Sequence, residues 1–310
     1  MPALSIIIPT KDRGDIFWKT FEQVLKSSSH LDIEILIINN SLTPIIPSTK
    51  PANVFIYDNP NNKDSVFSSR NYGASIARSP ILLFLDDDIL VTKESMDYTL
   101  AFHLDHTSAC LNVNWVYPPE LMEKIRKTIF GRYLIKYGFT AMKSLQGKAY
   151  WQDNAPFISP ALASFFFGIR KEDFIKISGY DERHLHEGTD VNITNRLHKN
   201  NIEIWINPLI TVYHNESDRT DIVNWLDRKK RLGEIHGNSV NMHDEGHLLY
   251  YSFSKKIGFH FIYFLQPLLL PIIKLFDNIK FDIFGFFLIN ALLGANMCKG
   301  YTSKIHNKII

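Results

Sequence analysis

The chain has 310 residues, 45% hydrophobic and 13% aromatic, a composition that suits one or two globular domains and excludes a disordered chain. Its 34 basic and 32 acidic residues leave a net charge of +2, so the overall charge does not suggest a nucleic-acid-binding protein. Two cysteines, Cys110 and Cys298, exclude a disulfide framework and fit a reducing compartment. The N-terminus runs directly into apolar residues, so we expect no signal peptide and a cytoplasmic protein.

Short apolar segments alternate with helical segments in the first part of the chain. The pattern predicts strands over 4–8, 33–38, 54–57 and 81–85, and helices over 15–28 and 68–77. Continuous apolar strands that alternate with helices are typical of a parallel sheet whose two faces are both covered. We predict an α/β fold with a Rossmann-like, mostly parallel sheet flanked by helices.

The second part of the chain is less regular. Its pattern predicts a helix over 119–137, a strand over 161–169, a helix over 190–199 and a final pair of strands, 202–206 and 210–213. We expect 118–150 to be a variable insertion near an acceptor. The predicted catalytic domain is 1–217, with a nucleotide-binding half, 1–110, and an acceptor half, 111–217. A helical apolar tail, 218–310, follows it.

The tail contains two apolar runs, 257–276 and 281–297, each interrupted by polar residues. Two prolines four residues apart, Pro267 and Pro271, are expected to break a helix that spans a bilayer alone. Residues 253–310 carry seven lysines and two acids, a balance of +5, whereas the remainder carries −3. This favours contact between residues 245–300 and an anionic membrane surface. A buried helical bundle or a dimer interface is the alternative.

Three consecutive acids, Asp86, Asp87 and Asp88, directly follow the apolar segment 81–85. Like charges this close raise one another's pKa unless a cation lies between them. A divalent cation such as Mn²⁺ or Mg²⁺ takes oxygen ligands and also binds a diphosphate, so the run predicts a metal and nucleotide site. The alternative is a group of solvated acids that cap the next helix.

Other polar residues follow neighbouring strands of the predicted sheet. Ligands of such sheets bind outside the carboxyl ends of the strands, where these side chains converge with the acids. The residues are Pro9, Thr10 and Lys11 after the first strand, and Asn39 and Asn40 after the second.

Several segments, in order over about residues 3–215, resemble those of family 2 glycosyltransferases. Phe84-Leu-Asp-Asp-Asp88 is similar to the DxD metal motif, and Ser5-Ile-Ile-Ile-Pro-Thr-Lys11 with Arg13 resembles the opening strand and turn. The remaining matches are Ser69-Arg-Asn-Tyr-Gly73 to ArNxG, residues 177–182 to GGFDE, residues 187–197 to EDxDLxxRL, and Val212-Tyr-His214 to vxH.

This resemblance implies a GT-A type fold and an inverting, metal-dependent glycosyltransferase of polysaccharide biosynthesis. The donor would be a nucleotide-sugar (UDP- or dTDP-linked, or GDP-linked), and the acceptor a hydroxyl of a saccharide or lipid-linked saccharide. Asp190 would be the general base, because a carboxylate accepts the proton of a hydroxyl that becomes acidic during transfer. Asp88 would bind the metal, Asp86 the ribose or the metal through water, and His214 the metal or a phosphate.

The resemblance also implies the donor-binding residues. Arg70 would pair with a donor phosphate. The nucleotide would be framed by Pro9, Thr10, Lys11, Arg13 and Asp87.

Two positions depart from the family pattern. Asn39 and Asn40 replace an acid pair of which one member reads the nucleotide base, so the base preference is open. Thr189 stands where a glutamate is expected, and Glu187 lies two residues earlier as its substitute. Glu187 and Trp151 are the candidates on the acceptor side.

Three other functions compete with the active glycosyltransferase. One is an inactive nucleotide-sugar-binding protein on the same fold, but Asp88 and Asp190 are both present. Another is a nucleotidyltransferase, which usually opens with a glycine-rich loop, whereas residues 9–14 contain one glycine. The last is a membrane scaffold formed by residues 245–310, which leaves the acid cluster unexplained. We therefore expect an enzyme that is peripheral or anchored at the inner face of the cell membrane.

Overall fold

A computed structural model describes residues 1–61, 65–143, 150–182, 189–241, 251–278 and 281–305. Within these ranges the strands are β1 (Leu4–Thr10), β2 (Ile33–Asn39), β3 (Val54–Asp58), β4 (Ile81–Leu85), β5 (Ile89–Leu90), β6 (Ala109–Val116), β7 (Phe157–Ile158), β8 (Phe166–Arg170) and β9 (Glu203–His214). The helices are α1 (Asp15–Ser28), α2 (Val66–Ile76), α3 (Lys93–Asp105), α4 (Pro119–Ile125), α5 (Ile129–Lys136), α6 (Lys171–Lys176), α7 (Thr189–Lys199), α8 (Ile222–Asn241), α9 (Phe253–Leu275) and α10 (Asp282–Ile305).

The chain divides into two compact units. The first comprises Met1–Val116 and Ala141–Asn215, and the second comprises Tyr117–Thr140 and Glu216–Ile310. The segment 117–140, assigned from the sequence to the acceptor half, thus belongs to the unit that contains the tail. Its helix α5 has an apolar face that packs in the core of that unit, which explains the assignment.

The first unit is built on one sheet in the order β3-β2-β1-β4-β8-β6-β9-β5, with β7 paired to β9. Strands β3, β2, β1 and β4 are mutually parallel, whereas β8 runs antiparallel to both β4 and β6. The predicted α/β fold with a central sheet is confirmed, and its pairing is mixed beyond β4. All residues of β1, β2 and β4 are buried, so these strands form the centre of the hydrophobic core.

Two strand predictions differ from the structure near the end of the sheet. The predicted pair 202–206 and 210–213 is wrong, because β9 is one strand of 12 residues. Pro208 lacks an N–H, and the pairing with β6 shifts beside Val113 and Asn114, so the chain bulges and then continues. The side chain of Asn207 supports this bulge by accepting the N–H of Leu209 at 2.9 Å.

Strand β6 was not predicted, because asparagines interrupt its apolar pattern. Asn112 is nonetheless fully buried. Its side chain donates to the carbonyl of Ala163 at 2.8 Å and accepts the N–H of Ala163 at 2.9 Å. A buried polar side chain is tolerated when its hydrogen bonds are made, and here they fix the loop that precedes β8.

The second unit contains a helical core made by α5, α8, α9 and α10. The helix predicted over 119–137 is wrong as one element, since it breaks into α4 and α5. Thr128 caps the second piece, because its hydroxyl accepts the N–H of Gly131 at 3.0 Å. Arg132 ties α5 to the helices of the tail, donating to Asp282 at 2.9 Å and to the carbonyl of Phe276 at 2.7 Å.

Helix α9 continues through Pro267 and Pro271, so the expected break is wrong. Both prolines lie on its exposed side one turn apart, which confines the lost hydrogen bonds to that side. The opposite side packs in the core of the second unit through Ile262, Leu269 and Ile273. Helices α9 and α10 each have the length and composition of a membrane-crossing helix, with a mean hydropathy of 1.4.

The packing of α2 on the sheet generates a prediction about Gly73. A Cβ at this position would lie 2.4 Å from Cγ2 of Ile7 on β1. Overpacking costs about 1–3 kcal/mol and exceeds the roughly 1 kcal/mol that alanine gains as a helix former. We expect Gly73→Ala to lower the midpoint of thermal unfolding, followed by circular dichroism.

Gly258→Ala in α9 is the control, because a Cβ there meets nothing within 4 Å. This variant should keep or raise the midpoint. A Gly73→Ala protein as stable as the wild type would contradict the close packing of α2 on β1.

Candidate active site

The acid run lies at the carboxyl end of β4, and local pairing fixes its path. The N–H of Asp86 donates to the carbonyl of Phe165 at 2.9 Å. Directly after the run, Ile89 on β5 pairs with His214 at the end of β9, and the N–H of Asn215 donates to the carbonyl of Asp88 at 2.7 Å. The short strand β5 therefore brings the end of β9 beside the acids, although 126 positions separate Asp88 from His214 in the sequence.

Asp88 and His214 form a pair suited to a metal ion. Oδ1 of Asp88 lies 3.2 Å from Nε2 of His214, and the Asp88 side chain is 2% exposed. The imidazole contacts the rings of both Trp115 and Phe165, with centroids 4.8 Å and 6.4 Å away, which restricts its orientation. Two ligand atoms that are each about 2.1 Å from one ion lie roughly 3 Å apart at a right angle, so this pair fits a divalent cation.

Arg13 and Thr10 bind the acid run from the end of β1. The guanidinium of Arg13 donates to Asp87 at 3.2 Å and to Asp88 at 2.6 Å. The hydroxyl of Thr10 donates to Asp87 at 2.6 Å. Burial and the neighbouring charge of Asp88 raise the pKa of Asp87 to about 7, against the opposing effects of Arg13 and Thr10. This edge of the sheet therefore favours additional positive charge.

Asp86 forms an ion pair with a different arginine from Asp87 and Asp88. It pairs with Arg70 of α2, whose side chain is 4% exposed and also donates to the carbonyl of Ser164 at 3.2 Å. The guanidinium lies 5.1 Å from the centre of the Tyr180 ring, a cation–π distance. Arg70 was predicted to pair with a donor phosphate, and in the structure it is a buried counter-ion of Asp86.

Asp190 lies in the first turn of α7 and accepts a hydrogen bond from the hydroxyl of Ser164. The hydroxyl of Tyr180 lies 3.4 Å from the same Ser164 oxygen. Burial raises the pKa of Asp190, while the Ser164 hydrogen bond and the charge of Arg70 act in the opposite direction. A carboxylate with a raised pKa is suited to act as a general base. The positive charge of Arg70 interacts with both Asp190 and Asp86.

Sequence reasoning missed Ser164 and Tyr180. Ser164 falls within the predicted strand 161–169, but β8 begins at Phe166. The residues before it instead bond to side chains, since the N–H of Leu162 donates to Thr194 at 3.1 Å. Tyr180 lies in the segment similar to GGFDE, and Asn71 holds that segment with hydrogen bonds of 2.9 and 2.8 Å to the Tyr180 backbone.

Asn39 and Asn40 lie in a separate network at the end of β2. The amide of Asn39 donates to Asp58 at 2.8 Å and to the carbonyl of Thr43 at 3.0 Å. Oδ1 of Asn40 accepts hydrogen bonds from Ser69 at 2.8 Å and from Asn59 at 3.1 Å. Both side chains are buried, so these amides hold the loops after β2 and β3 together.

The other predicted residues are more dispersed. Pro9 is buried within β1, and Lys11 is exposed in the turn that follows it. Trp151 donates to Asp153 at 3.0 Å and contacts the ring of Phe157. Glu187 lies outside the described residues.

Solved structures define the class of fold. The chain aligns with mannosyltransferase PcManGT from Pyrobaculum calidifontis in complex with GDP-Man and Mn²⁺, with a TM-score of 0.58, 12% identity, and coverage of 99% of this chain and 88% of that one. It also aligns with GalNAc-T7 with UDP, GalNAc and Mn²⁺, with a TM-score of 0.53, 14% identity, and coverage of 87% and 57%. The fold is that of GT-A glycosyltransferases.

The sequence comparisons confirm the family. The family model described as glycosyl transferase family 2 matches residues 5–174, more than half of the chain, and the protein therefore belongs to this family of sugar-transferring enzymes. A curated relative, the O-antigen biosynthesis protein RfbC of Myxococcus xanthus, is 24% identical over an aligned length of 243 residues, and the alignment covers 70% of this chain. The aligned region spans 17% of the length of that relative.

The environment of Asp190 generates a prediction about stability. The folded protein raises its pKa, so the ionised carboxylate destabilises the fold at pH values above that pKa, and protonation removes the effect. We expect Asp190→Asn, a neutral isostere, to raise Tm at pH 8 by roughly 2–4 °C, the shift that about 1 kcal/mol produces. Calorimetric scans should show this gain shrinking as the pH falls and the Asp190 carboxylate becomes protonated.

Asp97→Asn is the matched control. Hydrogen bonds from Lys93 and His30 lower the pKa of exposed Asp97, so its replacement should give no gain in Tm. A decrease in Tm for Asp190→Asn at pH 8 would show that the ionised carboxylate stabilises the fold.

Proposed function

We propose that this protein is an inverting, metal-dependent glycosyltransferase that moves a sugar from a nucleotide-sugar to a hydroxyl of a saccharide or lipid-linked saccharide. The observation that carries the proposal is the juxtaposition of two acid sites. Asp88 with His214 suits a cation, and Asp190 with Ser164 suits a base. Arg70, beside Asp86 and Ser164, lies between the two.

Asp88 and His214 would hold the divalent ion, Mn²⁺ or Mg²⁺, with Asp86 contacting it through water or binding the ribose. When bound, the ion would neutralise negative charge on the diphosphate of the donor. Thr10 and Arg13, which bind Asp87 and Asp88 in the structure, would frame the same diphosphate. Carboxylate and imidazole ligands favour these metals over ions that prefer thiolates.

Asp190 would accept the proton of the acceptor hydroxyl. The acceptor oxygen then forms a bond to the anomeric carbon, while the bond from that carbon to the phosphate oxygen breaks. Its electron pair leaves with the nucleoside diphosphate. A single displacement of this kind inverts the anomeric configuration. The hydroxyl of Ser164 orients the carboxylate, and burial makes it more basic than an exposed aspartate.

The relatives support a nucleotide-sugar donor and a saccharide acceptor. The two solved neighbours bear UDP or GDP-Man together with Mn²⁺, and the curated relative acts in O-antigen biosynthesis. A role in polysaccharide assembly, with a UDP-, dTDP- or GDP-linked sugar, is therefore part of the proposal. An inactive binding protein would have no need of the Asp190 arrangement.

The test combines binding with turnover. Calorimetry with Mn²⁺ and a panel of nucleoside diphosphates should give tight, metal-dependent binding of at least one nucleotide to the wild type. Asp88→Ala should lose this binding by about 100-fold or more, because a removed metal ligand leaves His214 without its partner. The Asp190→Asn variant should bind the nucleotide as the wild type does. Its rate of sugar transfer to an acceptor should be at least about 100-fold lower.

Asp97→Ala, which changes an exposed acid of α3, should match the wild type in both measurements. Proton NMR of the first product should show the anomeric configuration opposite to that of the donor. Nucleotide binding that ignores both metal and Asp88 would contradict the proposal, and a retained configuration would contradict the inverting mechanism.

We further propose that the enzyme is cytoplasmic and associates with the inner face of the cell membrane through α9 and the start of α10. The outward side of α9 exposes large apolar side chains along its whole length, namely Phe253, Ile257, Phe261, Phe264, Leu268, Ile272 and Leu275. In the most apolar 18-residue stretch of α9, 6% of the residues are buried, whereas in the corresponding stretch of α10 44% are buried.

Charge supports an anionic lipid surface as the occupant of this apolar face. Lys255 and Lys256 begin α9 and Lys274 lies in its last turn, so cations flank the apolar stripe at both ends. Each lysine near an anionic bilayer contributes about 1 kcal/mol to binding. At the start of α10, Phe281, Ile283, Phe284 and Phe287 are also exposed and enlarge the apolar surface.

Vesicle flotation tests the membrane proposal. The wild type should float with vesicles that contain phosphatidylglycerol and bind vesicles of pure phosphatidylcholine more weakly. Phe264→Glu combined with Leu268→Glu should reduce the bound fraction at least about tenfold, since two charges enter the apolar stripe. Leu104→Glu, an equally exposed position on α3, is the control and should not affect flotation.

A wild-type protein that stays in solution with both vesicle types would contradict membrane association. If the same protein were a dimer, and the double substitution made it monomeric, the stripe would instead be a contact between copies.

A further inference from the structure

Asp190 lies at the end of a chain of hydrogen bonds that begins at Tyr180. The hydroxyl of Tyr180 donates to Oγ of Ser164 at 3.4 Å, and the hydroxyl of Ser164 donates to Oδ1 of Asp190. A serine hydroxyl carries a single proton, and here Asp190 accepts it. The Ser164 oxygen is therefore the acceptor for Tyr180, and the chain has one direction, from the phenol to the carboxylate.

Packing and backbone hydrogen bonds fix Tyr180 in the interior. The residue is 2% exposed, and its ring packs against those of Phe67 and Phe84, with centroids 5.5 and 5.6 Å away. The side chain of Asn71 accepts the N–H of Tyr180 at 2.8 Å and donates to its carbonyl at 2.9 Å. Burial raises the pKa of Tyr180 to about 12, so the phenol keeps its proton and remains a donor.

The loop that carries Ser164 is held by contacts that do not involve the phenol. The carbonyl of Ser164 accepts a hydrogen bond from Arg70 at 3.2 Å. Its neighbour Ala163 exchanges hydrogen bonds of 2.8 and 2.9 Å with the side chain of Asn112 on β6. With the backbone fixed in this way, the main freedom left to Ser164 is the direction of its hydroxyl. Removing the phenol should therefore change that direction and leave the loop in place.

Several groups act on the charge of Asp190. Burial raises its pKa, the Ser164 hydrogen bond and the charge of Arg70 lower it, and the charge of Asp86 raises it. A hydrogen bond to the ionised form thus helps to keep this buried carboxylate available as a base. Hydrogen bonds in a chain strengthen one another by roughly 10–30% per bond, so donation by Tyr180 makes the Ser164 hydroxyl a better donor to Asp190.

We propose that Tyr180 is a positioning residue for the proton-accepting step, because its hydroxyl, acting through Ser164, orients the Asp190 carboxylate and stabilises its ionised form. The proposal rests on the proposed function, since it takes Asp190 as the base. In that step the O–H bond of the acceptor breaks and its proton bonds to Asp190, which must be ionised beforehand. The chain from Tyr180 increases the fraction of enzyme in which this carboxylate is ionised and correctly directed.

The titration of Asp190 measures this effect without a substrate. In protein labelled with ¹³C at the aspartate carboxyl carbons, the NMR signal that Asp190→Asn lacks belongs to Asp190. Tyr180→Phe removes only the phenol oxygen, so the midpoint of this signal should move to higher pH, because the ionised form loses support. Tyr133→Phe is the matched control and should leave the midpoint unchanged. Tyr133 is also buried, and its hydroxyl donates to Asn290 at 2.7 Å in the helical unit.

A double-mutant cycle shows whether Tyr180 acts through Ser164. Ser164→Ala removes the direct donor and should move the midpoint to higher pH by more than Tyr180→Phe does. Adding Tyr180→Phe to Ser164→Ala should give no further shift, because the chain is already broken. Equal shifts from Tyr180→Phe in both backgrounds would overturn the proposal, since the phenol would then act on Asp190 by another route. Near-ultraviolet circular dichroism checks the fold of each variant.

Turnover provides the second readout. With Mn²⁺ and a panel of UDP-, dTDP- and GDP-linked hexoses, the release of nucleoside diphosphate with water as the acceptor is followed against pH. On the acid limb of the profile, Tyr180→Phe should lower kcat by about 2- to 10-fold, the contribution of one hydrogen bond between neutral groups. The KM for the donor should stay at the wild-type value, and Tyr133→Phe should reproduce the wild-type profile.

The outcomes separate the two proposals. If Asp190→Asn abolishes turnover but Tyr180→Phe shifts neither the midpoint nor the acid limb, only the role of Tyr180 is overturned. A lower Tm for Tyr180→Phe without either shift identifies a purely structural tyrosine and overturns that role as well. If Tyr180→Phe shifts the midpoint but Asp190→Asn turns over at the wild-type rate, the chain is real and Asp190 is not the base. The proposed function then fails, and the catalytic role of Tyr180 fails with it.

Discussion

The arrangement of this site depends on two arginines that separate four carboxylates at one edge of a sheet. Arg13 binds Asp87 and Asp88, and Arg70 binds Asp86 and lies near Asp190. Without these cations, carboxylates this close would repel one another and shift to their neutral forms. The arginines also divide the acids into two groups, because each guanidinium pairs with or lies near its own subset. The proposed metal-binding end and the proposed proton-accepting end thereby remain distinct.

The pattern of apolar residues was sufficient to predict the parallel part of the sheet, β3, β2, β1 and β4. Strands β1, β2 and β4 are buried on both faces, so their continuous apolar runs are unambiguous. The prediction failed where a polar residue is buried for a structural reason. Asn112 interrupts the pattern of β6, and Asn207 with Pro208 divides β9 in the sequence. In both cases a tertiary hydrogen bond replaces the apolar signal.

The candidate site was partly predictable for the same physical reason. Acids that follow an apolar strand can be recognised in the sequence. The resemblance to a known family then suggests roles for the other matched residues. Residues that act only through a neighbour carry no such signal. Ser164 resembles any serine in an apolar segment, and its importance appears only when the fold sets its hydroxyl against Asp190.

Asn39 and Asn40 at the end of β2 add no charge to this edge of the sheet, which fits its electrostatics. The run Asp86 to Asp88 already concentrates negative charge beside Thr10, and the pKa of Asp87 is raised to about 7 by burial and by Asp88. A further pair of acids on the neighbouring strand would increase that repulsion. Asparagines provide the hydrogen bonds that hold the loops without adding charge.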